Sequence, residues 1–150
     1  MSQVSIRPVV AADIPVLLTM IEALALHHED ISTVTEAALA RDVLGPHPWL
    51  TMLVAEQDDA QVGYAALCPL AQCHFGVRGM DIHHLFVHAD HRGKGVGQAL
   101  IDGCLALAKE RDCRYLTVGT HPDNLTAQGI YLSAGFEDLP PAGPRFRMKW

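Results

Sequence analysis

The stretch that decides the fold is residues 90–100, which read DHRGKGVGQAL. It holds three glycines at alternate positions together with two cations, Arg92 and Lys94. Glycine has no Cβ, so the main-chain N–H groups of such a stretch can turn toward a ligand and approach it closely. The apolar pattern that follows predicts a helix, whose first N–H groups and positive dipole end also favour an anion. The stretch therefore predicts an anion-binding loop that leads into a helix.

Two well-known phosphate motifs do not fit this loop. A nucleotide P-loop requires a glycine five residues before its Gly-Lys pair and Ser or Thr directly after it, but these positions hold His88 and Gly95. A Rossmann turn requires its glycines immediately after a strand, whereas a polar segment separates them from the predicted strand that ends at Val87. A turn that only joins a strand to a helix is the simpler alternative.

Composition predicts one soluble globular domain over residues 1–150. The 150 residues suffice for one core, and 49% of them are apolar while 19% are charged. The sequence contains no apolar run of the roughly 20 residues needed to cross a bilayer, and its beginning lacks the apolar core of a signal peptide. We therefore expect a cytoplasmic protein without a membrane partner. The formal net charge of −6 argues against nucleic acid and mildly favours cationic small molecules.

Hydrophobic periodicity predicts a mixed α/β chain. Several strands come first and a β-α-β-α-β order follows, which implies a mixed sheet with helices on both faces. Asp13 is predicted to cap the first helix, and Gly135 to end the last one. Helices are predicted at residues 14–25, 35–43, 97–111 and 124–134, and strands at 4–7, 50–56, 61–69, 82–87, 115–119 and, more weakly, near 136–138 and 146–149.

A second motif lies in residues 121–136, which read HPDNLTAQGIYLSAGF. Asn124, Ala127 and Tyr131 fall near one face of the predicted helix, although Tyr131 could equally be a core aromatic. This motif and the glycine loop, in their order along the chain, resemble the two signatures of the GNAT superfamily of N-acetyltransferases. The resemblance covers nearly the whole chain. Residues 45–65 and the C-terminal segment are similar to the diamine (spermidine/spermine) N-acetyltransferase branch.

The resemblance implies the GNAT fold, with a twisted, mostly antiparallel sheet of six to seven strands and about four helices. It also implies acetyl-CoA as co-substrate, a homodimer, and Tyr131 as the general acid for the CoA thiolate. The strand that ends at Val87 would polarise the thioester, and the glycine loop would hold the pyrophosphate. The residues that it implies for acetyl-CoA binding are Leu85, Phe86, Val87, Arg92, Gly93, Lys94, Gly95, Val96, Gly97, Gln98, Asn124, Ala127 and Tyr131.

The general base is where the sequence departs from the diamine branch, which carries a Glu-Asp pair on this strand. The corresponding residues here are His83 and His84. An imidazole, with an ordinary pKa near ~6.5, is a credible base at neutral pH. Successive strand residues face opposite sides, so we expect His83 to face the cleft as the base, or as a pocket wall, and His84 to pack or hydrogen-bond on the other face. The acidic residues that could still attract a cation are Glu22, Glu29, Asp30, Glu56 and Asp81.

The sequence thus predicts an acetyl-CoA-dependent N-acetyltransferase that acts on a primary amine of a small molecule. The acceptor would be polyamine-like or amino-acid-like, with direct transfer in a ternary complex. The alternatives are acetylation of a protein N-terminus or lysine, and a non-catalytic acetyl-CoA-binding module. No metal is predicted, because the histidines and cysteines lack the spacing of a zinc signature.

Overall fold

The computed structural model describes residues 3–150. The chain divides into two compact units, one that extends to Gly119 and one from Thr120 to Trp150. The single domain expected from the length stays a prediction, and each unit is described by itself. No helix in the described part of the chain is long and apolar enough to cross a membrane.

The first unit is built on a mixed sheet in the strand order β1-β2-β3-β4-β5, the five strands found within residues 3–150. Pairing is antiparallel from β1 to β4, and β5 runs parallel to β4. The prediction of a mixed, mostly antiparallel sheet is confirmed. The strands are β1 (Ser5–Pro8), β2 (Thr51–Gln57), β3 (Ala60–Gln72), β4 (Val77–Val87) and β5 (Cys113–Val118), and the helices of this unit are α1 (Ile14–His27), α2 (Glu36–Leu39) and α3 (Val96–Glu110).

Helix α1 covers one face of the sheet, which we call the α1 face. Its apolar stripe includes Leu17, Ile21 and Leu24, and it packs against strand residues at alternate positions. Helix α2 continues as a π-helical turn over Ala40–Leu44 and adds Leu39 to the same core. The strand side chains of the α1 face that belong to this core are Met52, Val54, Tyr64, Ala66 and Phe86.

Helix α3 lies on the opposite face and contacts all five strands. The residues between those of the α1 face, such as Leu53 and Ala65, are also buried, as are Leu100, Ile101 and Cys104 of α3. Burial on both faces explains why the central strands are apolar almost throughout rather than alternating.

Asp13, the predicted N-cap residue of α1, has a different role from the one expected. Asp13 occupies the N-cap position of α1, but its side chain makes no capping bond to that helix. The buried carboxylate instead accepts hydrogen bonds from Arg7, Gln61 and the main-chain N–H of Val10. Arg7 holds the pKa of Asp13 down at about 2. Asp13 thus ties α1 to β1 and β3.

The second unit contains helix α4 (Leu125–Ser133) and no strand. The closing strands expected near residues 136–138 and 146–149 are absent from it, so the expected six to seven strands are five. Pro140, Pro141 and Pro144 have no N–H to donate to a sheet. The alternating pattern of Phe146 and Met148 misled because both side chains are exposed.

Candidate active site

A β-bulge in β4 shapes the candidate site. In the ladder with β3, Ala66 lies opposite His84 and Leu67 lies opposite Ile82, which leaves His83 as the extra residue. Such a residue breaks the alternation of side chains along a strand. The two imidazole rings therefore lie on the same side and stack, with centroids 4.5 Å apart and planes 11° from parallel. The expectation that His84 would face away from His83 is wrong for this reason.

His84 is anchored on the α1 face by Tyr64. Its Nδ1 lies 3.1 Å from the hydroxyl oxygen of Tyr64, whose side chain is completely buried. Burial, followed by the neighbouring His83 and His28, lowers the pKa of His84 to about 4. His84 is therefore neutral at neutral pH and forms a fixed, uncharged support for the ring that stacks on it. Nothing in the sequence pattern pointed to Tyr64, because only the strand register, which pairs it with Phe86, brings it next to His84.

His83 is the exposed member of the pair. Within residues 3–150 it makes no hydrogen bond or ion pair that would occupy its ring nitrogens. An imidazole that is held in place by stacking and has free nitrogens can accept a proton from a bound molecule. No group of three or more His, Cys, Asp or Glu side chains in the same described range is arranged to hold a metal ion.

The ladder between β4 and β5 ends beside the bulge, at the pair Ile82 and Val118. Beyond this pair, successive N–H groups of β4 point alternately toward β3 and toward the opposite edge of β4, where β5 no longer pairs with it. The bond from His88 N to Val62 O, 2.8 Å long, continues the pairing with β3 and fixes this alternation. The N–H groups of Leu85 and Val87 consequently point to the open edge. Such donors suit a developing oxyanion.

Phe86 differs from its two neighbours. Its side chain belongs to the core of the α1 face, and its main chain pairs with β3 through Tyr64. The residues predicted to contact acetyl-pantetheine therefore fall into two kinds. Leu85 and Val87 present main-chain groups at the open edge, while Phe86 fixes the strand between them.

The glycine loop has the backbone of an anion cradle. Gly93 and Gly95 have φ of +72° and +86°, values that favour glycine, and a Cβ at either residue would meet open space. Gly95 is also the N-cap of α3 and has no side chain to accept from the first turn. The N–H groups of the predicted residues Val96, Gly97 and Gln98 are thus left for a ligand.

The side chains of Arg92 and Lys94 are charged, and each is also hydrogen-bonded to a nearby main-chain carbonyl. Arg92 Nε donates to the carbonyl of Val87 at 3.0 Å, and Lys94 Nζ donates to the carbonyl of Asp90 at 3.2 Å. Both side chains remain exposed, and the terminal guanidinium nitrogens of Arg92 are not used in this bond. The residues present fit a pyrophosphate group, which requires fixed N–H donors beside positive charge.

In the second unit, the motif residues define the two ends of α4. Asn124 caps the helix, with its side-chain oxygen accepting from Ala127 N at 3.0 Å. At the other end Gly135 has φ of +105°, and the bond from Phe136 N to Tyr131 O closes a Schellman motif. The predicted glycine cap is confirmed.

The same Schellman motif positions Tyr131. Its ring lies edge-on to that of Phe136, with centroids 6.0 Å apart. This is the apolar contact between positions C3 and C″ that accompanies the motif. Burial raises the pKa of Tyr131, so the phenol keeps its proton at neutral pH. Tyr131 is thus an aromatic held by packing that also carries a proton to donate.

The carboxylates that the sequence offered for attracting a cation differ in their partners and exposure. Glu56 is bound to Arg7, while Glu22, Glu29 and Asp30 are exposed. Asp81 lies on β4, two residues before His83, and accepts a hydrogen bond of 2.6 Å from the Thr117 hydroxyl. The strand spacing of Asp81 and His83 is visible in the sequence, but Thr117 is not, because a parallel ladder joins distant segments.

Comparison with known proteins identifies relatives of the chain. The model of the acetyltransferase (GNAT) family matches residues 19–136. Thialysine N-epsilon-acetyltransferase of Sus scrofa is 28% identical over 149 residues, which cover 93% of this chain and 87% of that protein. N-acetyltransferase 8B of Homo sapiens is 29% identical over 108 residues, or 72% of this chain, but the match spans only 45% of that protein.

A solved structure supports the fold. Aminoglycoside N-acetyltransferase AAC(6')-Iy in complex with CoA superposes with a TM-score of 0.76, covering 98% of this chain and 96% of that chain at 18% identity. At this identity the likeness concerns the fold alone.

The anchored histidine predicts a pH dependence of stability. The unfolded chain should protonate His84 near pH 6.5, but the folded protein only near pH 4, so stability should fall as the pH is lowered through this window. The His84→Gln variant lacks this proton, and its unfolding free energy should fall less steeply, by at most about 1.4 kcal/mol per pH unit.

Urea unfolding between pH 4.5 and 7 measures this difference. The exposed His74 offers a matched control, and His74→Gln should keep the slope of the wild type. Equal slopes for His84→Gln and the wild type would show that burial does not hold His84 neutral.

Proposed function

The chain belongs to the acetyltransferase (GNAT) family, and we propose that it transfers an acetyl group from acetyl-CoA to a primary amine of a small molecule. The observation that carries this proposal is the bulge. It places the free imidazole of His83 beside main-chain donors that begin where the β4–β5 ladder ends. A base and a carbonyl-polarising edge are what an acyl transfer to nitrogen requires. A cytoplasmic location and a homodimer stay predictions.

Acetyl-CoA would supply the reactive thioester. Arg92 and the N–H groups of residues 93–98 would hold its pyrophosphate, since the loop leaves these donors free. Leu85 and Val87 would direct main-chain donors at the acetyl-pantetheine along the open edge. Asn124 and Ala127 would contribute through the first turn of α4. Holding both reactants in place supplies a large part of the rate acceleration.

His83 would take the proton from the acceptor ammonium, because only a neutral amine has a lone pair with which to attack. The uncharged His84 beneath it supports the ring without repelling the charge that His83 acquires. Transfer would be direct. Burial and the charge of Asp81 raise the pKa of the Cys68 thiol, which makes this neighbouring thiol a poor nucleophile for an acetyl-enzyme.

Tyr131 would be the general acid that protonates the departing thiolate. The resemblance to the superfamily assigns it this role, and its raised pKa keeps it protonated at neutral pH. The Schellman motif would hold its ring in a fixed orientation.

Incubation of the protein with acetyl-CoA and a panel of acceptors tests the proposal. We expect mass spectrometry to detect acetylated small amines, formed in proportion to enzyme concentration. The panel should contain mono- and diamines, amino acids, a peptide with a free N-terminus and a lysine peptide. Product on peptides alone would support protein acetylation instead. Acetyl-CoA binding without product on any acceptor would support a non-catalytic module.

The Tyr131→Phe variant tests the general acid. Removing the phenol should lower kcat by about 10²- to 10⁴-fold, the usual range for a positioned acid, while the ring packing against Phe136 remains. Steady-state kinetics gives kcat, and calorimetry gives the affinity for acetyl-CoA, which should change little. Unchanged turnover across the pH range would remove Tyr131 as the acid.

The His83→Ala variant tests the general base. Without the imidazole, the acceptor must lose its proton to water, so the pH–rate profile should shift to higher pH, toward the pKa of the free amine. The control His74→Ala lies in the β3–β4 turn and should leave the profile unaltered. If His83→Ala also leaves the profile unaltered, His83 is only a wall of the pocket.

A further inference from the structure

The basic residues of the first unit that serve neither the fold nor the glycine loop lie in one region. Arg7 and Arg41 are bound to carboxylates, whereas Arg92 and Lys94 belong to the loop. The remaining basic residues, which form no ion pair within residues 3–150, are Arg78, Lys109, Arg111 and Arg114. Because the formal net charge of the chain is −6, these unpaired cations single out a region that can attract an anion.

The ladder between β4 and β5 brings these residues together. Arg78 is paired with Cys113, so it lies beside the segment of residues 109–114 that follows the end of α3. The carboxylates of that segment are Glu110 and Asp112, and neither forms an ion pair within the described part of the chain.

A groove of about 430 Å³ opens where α3 ends. Arg111, the C-cap residue of α3, and Arg78 of β4 both line it. The other lining residues are Pro69, Leu70, Ala71, Gly79, Met80 and Cys113. Two guanidinium groups are thus set among side chains that are otherwise apolar or carry only a thiol. We call this feature the Arg78–Arg111 groove.

The Arg78–Arg111 groove lies on the face of the sheet that α3 covers. Met80 follows Arg78 by two residues on β4 and is buried outside the core of the α1 face. The stacked histidines belong to the α1 face, so the sheet separates them from the groove. Helix α3 has 15 residues, which puts the groove about 22 Å from the glycine loop along the helix axis. The groove is therefore separate from the candidate active site.

Both guanidinium groups have donors to spare. Arg111 Nη1 donates to the Thr51 hydroxyl at 2.8 Å, which fixes the side chain while its other nitrogens make no hydrogen bond within residues 3–150. The Arg78 side chain makes none in the same range, and both residues are exposed. The planar fork of a guanidinium matches the two oxygens of a carboxylate.

The lining indicates which kind of anion fits. Met80 is 2% exposed and lies beneath the groove, and Pro69 and Ala71 add apolar surface beside it. Such surface favours a ligand with a hydrocarbon part, because burying that part removes it from water. Inorganic phosphate would gain nothing from this surface. A groove with an apolar lining and a few convergent polar groups is typical of small-molecule sites.

We propose that the Arg78–Arg111 groove binds a small organic carboxylate with an apolar body. Arg78 and Arg111 hold the carboxylate, while Pro69, Ala71 and Met80 contact the hydrocarbon part. This inference goes beyond the proposed function and does not rest on it, because the groove lies on the other face of the sheet. Its test requires no acetyl transfer.

Nuclear magnetic resonance tests the proposal with hexanoate as the probe, on protein labelled with ¹³C at the methionine methyl groups. The Met80 signal, identified by its loss in Met80→Leu, should shift in a saturable manner. Met20 and Met52 lie in the core of the α1 face and should not shift. Hexanamide has the same body without the charge, and acetate has the charge without the body. Each should require an about 10-fold or higher concentration for half of the shift.

Three arginine variants show whether the groove or only its surroundings attract the probe. Arg78→Gln and Arg111→Gln should each raise the hexanoate concentration at half shift about 10-fold, since each removes a charged hydrogen-bond donor. Arg114→Gln is the matched control, because it removes the same charge beside Cys113 at a residue that does not line the groove. It should stay within about 2-fold of the wild type. Thermal melting identifies any variant that fails to fold.

Alkylation of Cys113 gives a second measurement. Iodoacetate carries a carboxylate and iodoacetamide does not, so the ratio of their rates at one thiol reports attraction of the anion whatever the thiolate fraction. Peptide mass spectrometry should give a ratio about 10-fold higher at Cys113 than at the exposed Cys73. The difference should diminish in Arg78→Gln.

Several outcomes would overturn the proposal. One is the absence of a saturable Met80 shift with hexanoate, and another is an equal response to hexanamide. A loss of affinity in Arg114→Gln as large as that in Arg78→Gln would indicate a diffuse positive field in place of a site. Inorganic phosphate acting at a lower concentration than hexanoate would show that the groove does not select an organic body. Equal alkylation ratios at Cys113 and Cys73 would likewise contradict the assignment of the arginines.

Discussion

The β-bulge at His83 is the constraint on which the candidate site depends, because a single extra residue changes both the side chains and the edge of β4. It turns two successive imidazoles to the same face, where they stack. The ladder to β5 ends next to it, after Ile82, so the following N–H groups of β4 lose a strand partner on that side. One irregularity thus places the proposed base next to the main-chain donors proposed for a carbonyl oxygen.

The stacked histidines serve as a pair only because their surroundings differ. If both rings carried a proton, two positive charges would face each other at 4.5 Å. Burial against Tyr64 holds His84 uncharged, so His83 can gain a proton without that repulsion. The half-buried His84 therefore acts as a structural element, and the proposed base is the exposed ring of His83.

Local patterns in the sequence predicted much of this molecule, and long-range pairing accounts for what they missed. The glycine loop, α3 and the glycine cap of α4 depend on residues close in sequence, and all three are found. The bulge depends on the register between β3 and β4, which no local pattern encodes, so the facing of His84 was mispredicted. The prediction of closing strands was wrong for a similar reason. Alternation at Phe146 and Met148 indicates a strand only where a neighbouring strand is available to pair, and both side chains are exposed.

The carboxylates near the sheet differ in their partners. Asp13 and Glu56 serve the fold, because Arg7 binds both where β1, β2 and the start of α1 meet. Asp81 instead accepts a hydrogen bond from the hydroxyl of Thr117 and forms no ion pair within the described part of the first unit. A replacement of two acidic residues by His83 and His84 would by itself lower the attraction for a polycation. An imidazole at this position is suited to accept a proton rather than to attract a cation.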